Sequence, residues 1–294
     1  MKRIAYLAAL LITACSGHKN DFDASGTFEA VETIVSAEAT GTLKMFNVAE
    51  GQDLKAGEIV GVIDSVQLYL KKKQMQAQIG AVLSRKPNVA KQLAALQEQL
   101  KQAEREQQRL TRLVKADAAT QKQLDDATTQ LDVVKKQIEA QQSSLGITTS
   151  SLNEEASPIF VQVAQLEDQL AKCKIVNPVS GTVLTKYAEA NEMAVTAKPL
   201  YKIADLSTII LRAYITGDQF AQVKLHQNVK VQVDDGKGNY KGYDGTMEWI
   251  SDKAEFTPKT IQTKDERANL VYAVKINVKN DGFLKIGMYG EIKW

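Results

Sequence analysis

Residues able to do chemistry are few and scattered along this 294-residue chain. The two histidines, His18 and His226, could serve as metal ligands or general bases, but neither has a second ligand at metal-binding spacing. The six methionines are dispersed and make no soft-metal site. Cys173 falls on the apolar row of a helical pattern, where a buried small side chain is expected rather than a nucleophile. Neither a phosphate-cradling glycine loop nor a Ser, His and acid set stands out. No catalytic residue, metal ligand or cofactor site is therefore assigned, and a non-enzymatic chain is expected. A formal charge of +2 with 24% charged residues excludes a strongly basic, nucleic-acid-binding character.

Cys15 is the one residue with a specific chemical expectation. Lys2 and Arg3 precede an apolar run, residues 4–14, that is too short to span a bilayer and has the form of a secretory signal. The run ends in Ile12-Thr13-Ala14-Cys15, which resembles the bacterial lipoprotein signal, where small residues admit the peptidase and the thiol is acylated. An ordinary signal with a chance cysteine is the bland alternative. Residues 1–15 are assigned to the signal region with Cys15 as first mature residue, and the polar residues 16–25 to a tether.

What positions the rest is a long helical hairpin, residues 65–173. Val89, Leu93, Leu96, Leu100, Ala103, Gln107, Leu110 and Val114 alternate by four and three, the spacing of a coiled-coil seam. Leu124, Ala127, Leu131, Val134, Ile138, Gln141 and Leu145 repeat it after a short turn, and Thr120 with Gln123 forms a capping box at the second helix. A turn this short makes the helices antiparallel, with an arm of roughly 39 Å above the break at Lys86-Pro87-Asn88. Gly146 to Pro158 predicts a matching break on the way down, with Ser157 as a new N-cap, and Asp64 with Gln67 predicts a capped start for the first helix.

On either side lie two halves of one β module, residues 26–64 and 174–206. Ser36-Ala37 before Gly41-Thr42-Leu43 is echoed by Pro178-Val179-Ser180 before Gly181-Thr182-Val183. Glu50-Gly51 pairs more weakly with Asn191-Glu192, and residues 59–64 with 200–205. Each half is too small to bury a core alone, so the halves should pack on each other. Biotin and lipoate carriers have such a doubled sheet with an acceptor lysine at the turn between halves. Here the hairpin replaces that turn, and Ile63-Asp64-Ser65 offers no lysine. From residue 207 to 294 alternating runs at 209–215, 229–233, 243–250, 270–278 and 290–293 predict an antiparallel β barrel of about six strands. A short helix fits 217–223, and a long polar loop 257–269. The fold class expected is thus α+β: a lipoyl-like β sandwich split by an antiparallel α-helical coiled-coil hairpin, followed by an antiparallel β barrel.

This order of parts resembles the periplasmic adaptor subunits, or membrane fusion proteins, of the HlyD family. The resemblance implies a periplasmic protein held by a lipid anchor, bridging an inner-membrane transporter and a TolC-like outer-membrane duct, and working as a ring commonly of six copies. In the family an arginine, a leucine four residues on and a Ser or Thr seven further mark the hairpin tip that meets the duct. Arg109, Leu113 and Thr120 match this spacing, and Asp125 and Ala127 follow where the family has a similar pair. Leu284 to Gly290 resembles the closing barrel strand. Phe256-Thr257-Pro258-Lys259 with Gln262-Thr263, Arg267 and Leu270-Val271-Tyr272 is similar to adaptors serving ABC-type transporters. The chain runs to Trp294 directly after the barrel, leaving little for the membrane-proximal domain expected of an adaptor to a proton-driven pump, so the ABC type is favoured. Ser16 after Cys15 leaves open which membrane holds the anchor, because inner-membrane retention in enteric bacteria favours Asp there. The alternative is a structural coiled-coil envelope lipoprotein that binds a partner through its hairpin tip.

Overall fold

The structure, a computed structural model, describes residues 22–236, 238–256 and 270–294. The signal region with Cys15, most of the tether and the polar run 257–269 lie outside the described residues. In chain order the elements are β1 (Ala24–Glu29), β2 (Glu32–Ser36), β3 (Gly41–Phe46), β4 (Asp53–Leu54), β5 (Ile59–Ile63), α1 (Val66–Leu83), α2 (Val89–Lys115), α3 (Gln121–Lys172), β6 (Lys174–Val176), β7 (Gly181–Lys186), β8 (Met193–Ala194) and β9 (Pro199–Ala204). Then come β10 (Thr208–Thr216), α4 (Gly217–Phe220), β11 (Asn228–Asp234), β12 (Tyr240–Ile250), β13 (Glu255–Phe256), β14 (Leu270–Lys279) and β15 (Tyr289–Lys293). They form two compact units, one helical (residues 63–174 with 39–41) and one of β structure.

The helical unit is the hairpin. Its base is tied where the Ile63 N–H donates to the Cys173 carbonyl at 2.8 Å. The ascending limb is broken at 84–88, and α2 restarts on Asn88, whose side chain accepts the Lys91 N–H. α1 is capped differently from expectation: Ser65 is its N-cap without a side-chain bond, and the Asp64 carboxylate accepts the Val66 N–H. The descending limb corrects a second expectation. No break occurs at 146–158; α3 runs unbroken for 52 residues with Pro158 inside it, a length of roughly 78 Å.

Packing explains why. The row of buried and half-buried positions continues from Leu145 through Thr149, Leu152, Ala156, Ile159, Val163 and Leu166 to Leu170 and Cys173. Leu152, Ala156, Ile159 and Val163 close on Ile79 and Val82 of α1. The proline removes one helical hydrogen bond, but seam burial on both sides holds the helix together. Two consecutive four-residue steps, Gln141 to Leu145 to Thr149, interrupt the four-three alternation. This is an inserted stutter, which locally unwinds a supercoil. Ser157 is therefore an ordinary mid-helix residue.

In the β unit, two four-stranded sheets have the orders β2-β9-β7-β4 and β6-β5-β3-β8. Each sheet takes two strands from each half of the split module. Replacing every first-half strand by its second-half counterpart turns one sheet into the other, so the sandwich has an internal two-fold. The equivalence is a constant shift of 140 positions: Gly51 N–H to Val183 carbonyl matches Asn191 N–H to Leu43 carbonyl, and Gly57 to Asn177 matches Ala197 to Ala37. This moves two expected pairings by one residue: Asn191, not Glu192, is the partner of Gly51, and residues 59–64 correspond to 199–204, not 200–205, as Asn47 N–H to Val60 carbonyl matching Tyr187 N–H to Leu200 carbonyl also shows. All four of Gly51, Asn191, Gly57 and Ala197 have positive φ, at 81°, 73°, 84° and 71°. Asparagine tolerates that region, but alanine is strained there. Ala197→Gly is therefore expected to raise stability by about 0.5–1 kcal/mol, after the entropy that glycine adds to the unfolded chain. Thermal denaturation would show it, and a lower midpoint would contradict the strain argument.

The barrel departs from expectation at its N-terminal strand. Its order is β10-β1-β15-β11-β12-β14, closed by the β10–β14 pairing into six strands among the described residues, with β13 added on β14. β1 supplies the sixth strand. Residues 26–29, expected in the first half of the split module, instead pair with β10 and β15, and the strand begins inside the expected tether at Ala24. Phe28 is 1% exposed in the barrel core with Leu211, Val231, Met247, Ile276 and Ile292. β1 crosses β10 so closely that a Cβ on Gly26 would lie 2.0 Å from the Arg212 carbonyl oxygen. The helix expected over 217–223 is shorter, Gly217–Phe220, with Ala221 as its C-cap.

Candidate functional site at the hairpin tip

The tip consists of the end of α2, the turn at 116–120 and the start of α3. The turn is compact: the Leu113 carbonyl accepts the N–H groups of Ala116 and Ala118 at 3.1 and 2.8 Å, and Asp117 takes φ 53°. Thr120 closes it as N-cap of α3. Its hydroxyl accepts the Gln123 N–H at 3.3 Å, while Gln123 Oε1 accepts the Thr120 N–H at 2.8 Å. Both ends of the turn are thus fixed by backbone bonding, so the side chains above it are presented on a rigid frame.

Arg109 and Leu113 are four residues apart on α2 and share one helix face. Arg109 is exposed, and its guanidinium makes a two-point contact with Glu106, Nε to Oε2 at 2.9 Å and Nη2 to Oε1 at 2.6 Å. Glu106 was not singled out from the sequence, although its place three residues before Arg109 is the signal for such a pair. The hydrogen bond from Arg109 holds the Glu106 carboxyl below its ordinary pKa. Exposed pairs of this kind contribute little to stability; this one orients the guanidinium. Leu113 is half-buried beside the seam. Thr120 is exposed, across the turn, and its hydroxyl is engaged with Gln123 rather than with Arg109 or Leu113.

Just below, the two seam alanines Ala103 and Ala127 leave a polar-walled groove of about 480 Å³ edged by Gln99, Glu106, Gln130 and Val134. Asp125, the other residue of the pair after the tip, accepts from the Gln121 side chain at 2.9 Å.

Other chemically capable residues have structural roles. Cys173 is 1% exposed, and burial, then the Asp64 charge, pushes its thiol pKa up, which keeps it protonated and unreactive. His226 is an exposed turn residue at φ 63°, with Nδ1 3.9 Å from Glu248. The buried Asn177 is fully engaged: it accepts from the Tyr201 hydroxyl at 3.0 Å and donates to the Lys55 and Val179 carbonyls. Burial, then the Glu58 charge, raises the Tyr201 phenol to about 12, so it remains a donor. Among the described residues no three His, Cys, Asp or Glu side chains are grouped to hold a metal. No helix among them is long and apolar enough to cross a membrane.

No protein-family model matches the chain. The UPF0194 membrane protein from the asrC 5′ region of Acidithiobacillus ferridurans is 25% identical over 284 residues, covering 90% of this chain and 83% of that protein. A UPF0194 membrane protein of Yersinia pseudotuberculosis is 26% identical over 318 aligned positions, covering 97% and 94%. The crystal structure of MacA from Actinobacillus actinomycetemcomitans has a TM-score of 0.57 at 23% identity, covering 92% of this chain and 76% of that one. The membrane fusion protein Spr0693 from Streptococcus pneumoniae R6 has a TM-score of 0.51 at 15% identity, covering 92% and 96%. The likeness to these solved structures is one of fold.

Proposed function

We propose that this chain, which resembles the HlyD-type membrane fusion proteins in its order of parts and in its fold, is a periplasmic adaptor. In this reading it is lipid-anchored through Cys15 and links an inner-membrane exporter to a TolC-like outer-membrane duct. It catalyses nothing; it holds the two ends of an export path together, as copies of itself arranged in a ring of about six. The observation that carries the reading is the two-fold sandwich with the hairpin inserted between its halves. That arrangement places a rigid tip bearing Arg109, Leu113 and Thr120 at the end of a long arm whose two limbs start together. An ABC-type transporter is the partner favoured, on the resemblance of the run beginning at Phe256 and ending at Tyr272, most of which lies outside the described residues.

The test is affinity capture of the full chain from solubilised envelopes, together with its Cys15→Ser variant. Capture of both an integral inner-membrane transporter and an outer-membrane channel is expected, with mass spectrometry finding lipid on residue 15 of the unaltered chain only. Recovery of neither partner from a folded, expressed chain would reject the adaptor reading and leave the structural lipoprotein. An unmodified residue 15 would reject the anchor separately.

A further inference from the structure

The barrel has one end at which its first strand begins, at Ala24, and another from which the chain leads into the sandwich. At the first end Asp23 is knitted to both neighbouring segments. Its carboxylate accepts the Trp294 N–H at 3.0 Å, its carbonyl accepts from the Gln219 side chain of α4, and its N–H donates to the Ile292 carbonyl at 2.8 Å. The residues after β10, 217–227, close this end. Val223 turns inward and is 7% exposed in the barrel core. Phe220 and Leu225 turn outward and are 43% and 52% exposed. Phe220 is held by the Tyr272 ring at a centroid distance of 4.9 Å, and Leu225 precedes a turn pinned by the His226 N–H to the Met247 carbonyl. Two large apolar side chains are thus fixed pointing away from a core that Val223 already fills. Lys224 beside Leu225 and Lys293 before the half-buried Trp294 are exposed at the same end, together with Asp218 of α4 and Glu248 opposite His226.

The covalent path bears on what meets this end. Only eight peptide steps separate Cys15 from Asp23, so Asp23 cannot lie more than about 28 Å along the chain from the thiol. Aliphatic and aromatic side chains flanked by lysine and tryptophan are the side-chain set that suits a lipid headgroup layer. We infer that this end of the barrel rests on the bilayer surface, with Phe220 and Leu225 entering the headgroup region as a second, noncovalent contact beside the anchor. The inference rests on the reading that Cys15 carries lipid. Its physical role is orientation: a single flexible anchor leaves a protein free to tumble, and a second contact near the anchor point fixes which end of the barrel faces the membrane.

The experiment places a nitroxide at position 220, 225 or 240 through Phe220→Cys, Leu225→Cys or Tyr240→Cys in the full chain. Tyr240 begins β12 at the other end of the barrel and is 59% exposed. Cys173 is buried and Cys15 is blocked by lipid, so the label goes to the new thiol. Each acylated chain is reconstituted in vesicles of phosphatidylethanolamine and phosphatidylglycerol, and the label's collisions with oxygen and with a water-soluble nickel chelate are compared. The expected result is a severalfold higher oxygen-to-nickel ratio at 220 and 225 than at 240. Equal ratios at all three positions, with the acyl group confirmed by mass, would overturn the inference and leave the anchor standing. Shielding of 220 and 225 only after a transporter is added would also overturn it, by assigning the surface to a protein. Absence of the acyl group would remove the anchor reading and this inference together. Leu225→Cys serves alone if Phe220→Cys loses the native circular dichroism spectrum.

Discussion

Arg109→Asp and Leu113→Asp should each abolish export and cross-linking to an outer-membrane duct, while hairpin helicity and capture of the inner-membrane partner stay nearly unchanged. The first substitution reverses the charge of an exposed guanidinium and sets two carboxylates three residues apart where Glu106 and Arg109 were paired. It also puts a negative charge in the last two turns of α2. Exposed and screened as these groups are, the effects are too small to unfold a 27-residue helix packed on α3. The second exposes a carboxylate where a half-buried leucine stood beside the seam, and leaves the Leu113 carbonyl free to hold the turn. A loss of export therefore reports on docking rather than on folding. Normal export in both variants, with expression verified, would show that these residues do not meet the duct.

Phe28→Ala should cost about 3–5 kcal/mol, the range for removing a buried aromatic ring. Its ring is 1% exposed, and Gly290 makes room for it: a Cβ there would come within 3.0 Å of the ring edge. Backbone bonds to Met288 and Gly287 add to its fixing. Set against the roughly 5–15 kcal/mol stability of an ordinary domain, this is a fifth or more of the total. The loss should be confined to the barrel. Both tryptophans of the chain, Trp249 and Trp294, lie there, so their fluorescence reads barrel unfolding, while helical ellipticity is dominated by the hairpin. The fluorescence midpoint in urea should fall sharply and the ellipticity midpoint little. An unmoved fluorescence midpoint would mean that β1 is not an integral barrel strand.

β1 also shows where the sequence misleads. Its inward positions are Ala24, Gly26 and Phe28, so a single large side chain carries its apolar signal and two small residues dilute it. Only the missing sixth strand of the barrel calls for it, and that demand comes from closure, which no local pattern contains. The coiled-coil rows are the opposite case: fifteen positions repeat one spacing, and all but Val89 are buried or half-buried. Gly146 and Pro158 carry local signals for stopping a helix, but seam packing from Leu145 to Leu166 overrides them. The repeat in the sandwich is visible from its glycines, yet its register is one residue off because Asn191 stands where the first half has Gly51. At the tip, the face shared by Arg109 and Leu113 and the capping role of Thr120 follow from spacing alone. The groove beside Ala103 and Ala127 does not, since it depends on two small residues meeting across helices.

The tie between Ile63 and Cys173 makes the hairpin a ruler. Because both limbs begin at the same point, removing seven residues from α2 and seven facing residues from α3 would lower the tip by about 10 Å and return every seam position to an equivalent neighbour. Nothing in the sandwich strands would have to change. Arm length is thus a quantity that insertion and deletion can adjust in whole heptads, independently of the β structure to which its two ends connect.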